Sequence, residues 1–147
     1  MSLQHRTFKT PDTHWNYLYG GPSAERAAGA PLLVFLHGAR DRGSDLDLLL
    51  RWSPPKALNA ASVLSHHFVA PQLPADTTWI DHAPAVLKLI DAVVDEVGAD
   101  PSRVVIAGFS LGSAGAWHLA STHPSRFAGL VSVSSRIEES LDFKALS

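Results

Sequence analysis

The chain has no cysteine, no long apolar run and no cluster of basic residues. The absence of cysteine excludes disulfides, thiolate chemistry and cysteine-bound zinc. No apolar stretch approaches the ~20 residues of a membrane-spanning helix, and the opening MSLQHRTFKTPDTHW lacks the apolar centre of a signal peptide. A net charge of −2 provides no basic field for nucleic acid or an anionic membrane. The sequence therefore predicts a soluble, cytoplasmic protein with no nucleic-acid partner and no membrane span.

What the chain does have is the composition of a globular domain. It contains 147 residues, of which 46% are hydrophobic and 18% charged. That length suffices for one well-buried core, and no repeat or linker divides it. We therefore expect a single domain over residues 1–147.

Apolar runs alternate with helical patterns along the chain. Continuous apolar runs bounded by glycine or proline are typical of strands buried on both faces of a parallel sheet. THWNYLYGGP has the aromatic residues of an early edge strand, and LDLLLRW has a helical pattern. Strand and helix alternate from there on, which predicts an α/β three-layer sandwich with a mostly parallel sheet. The four predicted buried strands lie within residues 31–38, 66–74, 102–110 and 126–135.

A serine stands between two glycines at the end of the third of these strands. The motif Gly-Phe-Ser-Leu-Gly spans residues 108–112, and small residues follow it into a predicted helix. A serine in this frame occupies a sharp strand-to-helix turn, where its hydroxyl is exposed as a nucleophile and the start of the helix favours negative charge. The alternative is a turn serine that is merely flanked by glycine. The strand before it and the small residues after it favour Ser110 as a catalytic nucleophile.

The stretch VFLHGARDRG ends another predicted strand with His37 and Gly38. Ligands bind at the carboxyl ends of the strands in α/β sheets, so this loop belongs near Ser110. Acyl transfer needs two backbone N–H donors for the oxyanion, and the motif assigns them to Leu111 and Ala39. We expect His37 to shape the loop by hydrogen bonding to backbone rather than to act as the base.

With these motifs the chain resembles the α/β-hydrolases, on the branch of carboxylesterase/phospholipase-like, dienelactone-hydrolase-like and predicted-peptidase proteins. The resemblance rests on PLLVFLHGARDRGSD, on FVAPQLP and on DPSRVVIAGFSLGSAGAWHLASTHPSRFAGLVSVSS, which together reach from residue 31 to 135. It implies hydrolysis of small-molecule carboxylic esters through an acyl-enzyme at Ser110, with no cofactor and no metal. Two residues depart from the family pattern, because Arg40 and Ser113 stand where glycine is common.

A third departure from the family pattern concerns the acid and the histidine that complete a catalytic triad with the serine. In this fold they follow the nucleophile along the chain. The histidines after Ser110 are His118 and His123, and on the helix that starts at the serine they lie roughly 12 and 20 Å along its axis. Neither can reach the hydroxyl, and Asp81 with His82 is a weak substitute pair. We therefore expect an incomplete α/β-hydrolase fold that lacks its last strands and is weak or inactive as an isolated chain.

Other features have less specific interpretations. A concave apolar site suits an ester, and Trp117 is one candidate to line it. The strand within 126–135 would form an exposed sheet edge, which we expect either a second copy or a short helix in the divergent tail 136–147 to cover. A non-catalytic binding module and a truncated gene product remain the alternatives to an enzyme. The candidate substrate contacts are His37, Gly38, Arg40, Gln72 and Trp79.

Overall fold

The apolar runs form the middle of one six-stranded sheet. The computed structural model of the protein describes residues 2–52 and 54–135. Each central strand begins and ends where proline, glycine or a polar turn interrupts its run of apolar residues. The strands are β1 (Gln4–Thr10), β2 (Thr13–Gly20), β3 (Leu32–Leu36), β4 (His67–Pro71), β5 (Val104–Phe109) and β6 (Gly129–Val133), and the helices are α1 (Ala24–Ala27), α2 (Pro55–Ala60), α3 (Ala83–Val97) and α4 (Leu111–Thr122).

The strand order across the sheet is β1-β2-β4-β3-β5-β6. Strands β4, β3, β5 and β6 are parallel to one another. On one side β2 pairs antiparallel with β4, and β1 pairs antiparallel with β2. The prediction that THWNYLYGGP forms the edge strand is wrong, because β1 pairs with residues 13–19 of β2 and is itself the edge. β1 gives little apolar signal since most of its residues are exposed or only half-buried. The mostly parallel α/β sheet is confirmed.

Two apolar clusters cover the two faces of the sheet. On one face α3 and α4 pack through residues such as Val86, Ile90 and Leu119. On the other, a 310 helix over Leu46–Arg51 and the short α2 pack against Phe35 and Phe68. The stretch LDLLLRW, whose pattern predicts a helix, thus forms a 310 helix over Leu46–Arg51. The three-layer arrangement places helices on both sides, as parallel strands require.

Strand β6 is the last strand of the sheet, next to β5. Val131 and Val133 are each 49% exposed there, so within the described part of the chain this edge presents apolar side chains as well as backbone that no further strand pairs with. The predicted helix in the tail 136–147 lies outside the described residues. No helix in the described part of the chain is long and apolar enough to cross a membrane.

Candidate active site

Ser110 lies at an abrupt bend between β5 and α4. Its backbone has φ 52° and ψ −114°, a region that residues other than glycine rarely occupy. Such a conformation costs on the order of 1–3 kcal/mol and persists only where the surrounding structure enforces it. The residue is exposed even though β5 and α4 are largely buried. The bend therefore brings the one hydroxyl of the motif to the rim of the sheet.

Glycines allow the two elements to approach closely at this bend. A Cβ on Gly108 would overlap the carbonyl of Gly112, and a Cβ on Gly112 would overlap the carbonyl of Leu36 on the neighbouring strand. Both obstacles are backbone atoms, which cannot move aside as a flexible side chain can. The turn at Ser110 thus needs glycine at both flanking positions for steric reasons.

The edge strand holds the bend from the other side. The amide of Ser110 donates to the carbonyl of Val133 (2.9 Å). Ser113 is fully buried, and its Oγ lies 2.7 Å from the carbonyl oxygen of Gly108 and 2.9 Å from that of Val133. The same Oγ accepts a hydrogen bond from the amide of Val133 (2.9 Å). Ser113 therefore joins α4, β5 and β6 at the bend.

The loop that follows β3 begins with His37 and is called the His37 loop below. It lies next to Ser110 because of the way β3 is paired with β5. Leu36, the last residue of β3, is paired with Gly108 on β5, so both strands end at the same level. The residues that follow β3 form a 310 turn over Ala39–Asp41. A Cβ on Gly38 would lie 3.2 Å from the ring of Phe109, which shows how closely the loop approaches the residue before the serine.

His37 supports this loop through both ring nitrogens. Its Nδ1 lies 2.7 Å from the carbonyl oxygen of Gly38, and the amide of Leu73 donates to its Nε2 (2.9 Å). A carbonyl can only accept, so Nδ1 carries the proton and the ring is in the neutral Nδ1–H form. Burial lowers the pKa of His37 to about 4, which keeps the ring neutral at physiological pH. With both nitrogens engaged, His37 has the geometry expected of a loop-shaping residue.

Trp79 and Gln72 also hold the loop and do not face the cavity. Trp79 is 1% exposed, and its Nε1 donates to the carbonyl of His37 (2.9 Å). Gln72 is 3% exposed, and its Nε2 donates to the carbonyls of Asp41 (2.9 Å) and Asp45 (2.8 Å). The prediction that these two side chains contact substrate is corrected, since burial and backbone hydrogen bonds keep them behind the loop.

A cavity of about 600 Å³ opens above Ser110 and the His37 loop. His37, Gly38, Ala39 and Arg40 line it, so four of the residues singled out in the loop meet Ser110 there. Trp117 lies elsewhere, and its Nε1 donates to Ser132 on the edge strand (2.9 Å). The rest of the lining comes from Phe35, Asp41, Leu49, Trp52 and Phe109.

Two backbone amides begin helical turns at this cavity. Leu111 is the first residue of α4, and Ala39 is the first residue of its 310 turn. Amides in such positions have no carbonyl one turn earlier to which they can donate. They are the two donors that the sequence assigns to an oxyanion, and they belong to the two segments that register brings together.

None of the described residues forms a hydrogen bond with the Ser110 hydroxyl, and the histidines have other surroundings. His82 packs its ring against Trp15, and Asp81 accepts from the amide and hydroxyl of Thr78 (3.0 and 2.7 Å). His67 is buried against Tyr19 and the carbonyl of Ala27. Neither His82 nor His67 forms the contact between serine and base that a triad requires. His118 lies within α4 and His123 caps its end.

Two residues of the site were not predicted from the sequence, a support of the loop and a wall of the cavity. Arg42 donates from its Nε to the carbonyl of Ala39 (3.0 Å) and from its Nη1 to that of Thr77 (2.9 Å). Phe109 is 46% exposed and forms a wall of the cavity. An aromatic residue beside a motif serine was the available signal for Phe109, whereas the contacts of Arg42 depend on a loop 35 residues away in the chain.

A parallel α/β sheet with a strained serine between strand and helix defines a class of protein, the hydrolases built on this arrangement. The model of the α/β hydrolase fold family matches residues 31–146, most of the chain. The chain therefore belongs to the α/β hydrolase fold family. The match continues past residue 135, where the motifs that carry the resemblance end. No curated protein sequence matches the chain significantly.

Several solved structures share the fold. A thermostable esterase superposes with a TM-score of 0.78 at 25% identity, over 99% of this chain and 44% of its own length. The S-formylglutathione hydrolase FrmB of Staphylococcus aureus has a TM-score of 0.74 at 20% identity, over 94% of this chain and 60% of its own. A putative lipase of Acinetobacter baumannii superposes with a TM-score of 0.66 at 21% identity, over 99% of this chain and 46% of its own length. The chain thus spans about half the length of these proteins.

Proposed function

We propose that the chain carries the nucleophile and oxyanion elements of a serine hydrolase that acts on carboxylic esters. The observation that carries this proposal is the backbone of Ser110, with its positive φ at an exposed bend directly beside the His37 loop and the cavity. In this reaction Oγ of Ser110 attacks the ester carbonyl, the alcohol leaves, and water hydrolyses the acyl-enzyme. The name of the thermostable esterase agrees with this chemistry.

The amides of Leu111 and Ala39 would stabilise the oxyanion. Both lie on rigid segments, α4 and the loop that His37, Trp79 and Gln72 support from behind. Donors fixed before the reaction need no reorganisation when charge develops, and one such donor contributes about 3–4 kcal/mol to catalysis. The neutral ring of His37 adds no positive charge to the site but holds Ala39 in place.

We further propose that the isolated chain is a weak catalyst, because no described residue activates Ser110. Without a base, an oxyanion hole and substrate binding leave only residual turnover. The test compares the full chain with its Ser110→Ala variant in the hydrolysis of p-nitrophenyl acetate. We expect the two rates to differ by less than about tenfold. A large rate that depends on Ser110 would show that a base is present and would overturn this part of the proposal.

The lack of a base among the described residues favours a second candidate function, a binding module that uses the cavity without catalysis. The two candidates differ in the chemistry of Ser110. A fluorophosphonate reports the attack by Ser110 alone, a step that oxyanion donors accelerate even without a base and that needs no later hydrolysis of an acyl-enzyme. Mass spectrometry locates the modified residue. Modification that is selective for Ser110 supports the hydrolase, and its absence supports the binding module.

We also propose that the exposed edge strand β6 pairs with a second copy of the chain. Val131 and Val133 present apolar surface beside backbone that pairs with no further strand in the described ranges, and an antiparallel pair of β6 strands would cover both. Sedimentation velocity tests this proposal with the variant Val131→Lys, because a charge on the edge opposes pairing. A dimer that Val131→Lys dissociates supports the proposal, and a wild-type monomer contradicts it.

A further inference from the structure

The cavity above Ser110 combines exposed aromatic surface with a positively charged side chain. Trp52 is 65% exposed and Phe109 is 46% exposed, although large apolar side chains are usually buried. Together with Phe35 and Leu49 they form apolar walls around a space of about 600 Å³. That volume lies in the range of small-molecule sites, and flat walls of this kind suit a flat apolar group.

Arg40 supplies the charge. It follows Ala39 directly in the 310 turn, so its side chain starts one residue from a proposed oxyanion donor. Within residues 2–52 and 54–135, Arg40 takes part in no ion pair, and its guanidinium donates no side-chain hydrogen bond. Arg42, two residues later, contrasts with it, since two carbonyls accept hydrogen bonds from its guanidinium. Arg42 therefore has a structural role, whereas the donors of Arg40 remain available to a ligand.

Asp41 is the one acidic residue in the lining and could offset this charge. Burial raises the pKa of its carboxyl, and the positive charge of Arg51 lowers it in part. Asp41 thus already lies in the field of another arginine. It forms no ion pair with Arg40, so the guanidinium at the rim is not neutralised by its neighbour.

We propose that the site selects esters whose flat apolar part carries an anionic group, and that Arg40 binds this group. The inference rests on the proposed function, because it assigns a substrate class to the same cavity. The aromatic walls hold the apolar part, and the guanidinium binds a carboxylate or a similar anion at the rim. Guanidinium matches a carboxylate with two parallel hydrogen bonds, and partial exclusion of water by the walls strengthens that contact.

Binding to the Ser110→Ala chain tests the inference without turnover. The probes are methyl 4-carboxybenzoate, which is flat and carries one carboxylate, and its neutral analogue methyl 4-carbamoylbenzoate. Dissociation constants from NMR titration should favour the anionic ester by about tenfold, as a charge-assisted hydrogen bond predicts. Raising the salt concentration should reduce this preference.

Three variants of the Ser110→Ala chain separate the contribution of the Arg40 charge to binding from that of the apolar walls. Arg40→Gln should bring the two esters to within about twofold of each other. Arg26→Gln, at an exposed position on α1, should leave the preference unchanged. Phe109→Ala should weaken both esters alike, because it removes an apolar wall and no charge.

Equal binding of the two esters, binding of neither, or a preference that survives Arg40→Gln would overturn the inference. Its failure can be told from failure of the proposed function, which is read from selective phosphonylation of Ser110 in the wild-type chain. A reactive Ser110 without anion preference would overturn only the substrate class. An anion preference that depends on Arg40, with an inert Ser110, would support the anion site and contradict the hydrolase.

Discussion

The hydroxyl of Ser113 and the backbone of Val133 are joined in both directions: the amide of Val133 donates to Oγ (2.9 Å), and Oγ lies 2.9 Å from the carbonyl of Val133. The same carbonyl accepts from the amide of Ser110 (2.9 Å). The strained bend at Ser110 is therefore held by the edge strand β6 as well as by α4. The conformation of the proposed nucleophile thus depends on a strand that, among residues 2–52 and 54–135, pairs only with β5.

Replacement of Ser113 by alanine should loosen this junction. Ser113→Ala removes the hydrogen bonds that the buried Oγ forms with the backbone of Val133 and Gly108, at a cost of about 1–3 kcal/mol. We expect that loss in the free energy of unfolding, measured by urea denaturation, together with slower phosphonylation of Ser110. The matched control is Ser121→Ala on the same helix, whose hydroxyl donates to the carbonyl of His118 within its own turn (3.2 Å). Equal losses in the two variants would contradict a role for Ser113 at the bend.

Replacement of Gly112 by alanine should disrupt the bend from the side of β3. Its Cβ would overlap the carbonyl of Leu36, and relief requires α4 to move away from the sheet. Overpacking of this kind costs about 1–3 kcal/mol or more. Gly129→Ala is the control, because a Cβ there meets only Val105, at 3.7 Å. Thermal denaturation should show a clear loss for Gly112→Ala and little change for Gly129→Ala, and similar values for both would refute the steric argument.

The buried ring of His37 predicts that stability falls as pH falls. The unfolded chain binds a proton at the histidine below about pH 6.5, whereas the folded chain does so only near pH 4. The free energy of unfolding should therefore decrease by up to about 3 kcal/mol between pH 6.5 and pH 4. His66, whose pKa burial also lowers, adds a change of the same sign, and Asp41, whose pKa burial raises, opposes it near pH 4.

Urea denaturation between pH 7 and pH 4 measures this dependence. His66→Gln should retain most of the change in the free energy of unfolding with pH. His37→Gln should start from a lower stability and show a flatter profile. NMR titration of the His37 ring in the wild-type protein checks the same point without any substitution. A ring that titrates near pH 6.5 would contradict the loop-shaping role.

The sequence predicted the parallel part of the fold because buried strands are continuous apolar runs, as in β3 and β5. It did not predict β1, whose side chains alternate between exposed and half-buried positions and form no apolar run. Ser110 and the His37 loop could be located because their motifs are local in the chain. Gln72 and Trp79 could not be placed correctly, since their partners are backbone carbonyls 27 to 42 residues away.

Selective phosphonylation most directly tests whether Ser110 is a nucleophile beside oxyanion donors. The full chain is exposed to a fluorophosphonate, and peptide mass spectrometry measures the rate at each serine. We predict that Ser110 reacts roughly a hundredfold faster than Ser102, an exposed serine in a 310 turn whose amide and hydroxyl both donate to the carboxylate of Asp100. Equal rates at Ser110 and Ser102 would contradict the assignment of this bend as the reactive centre.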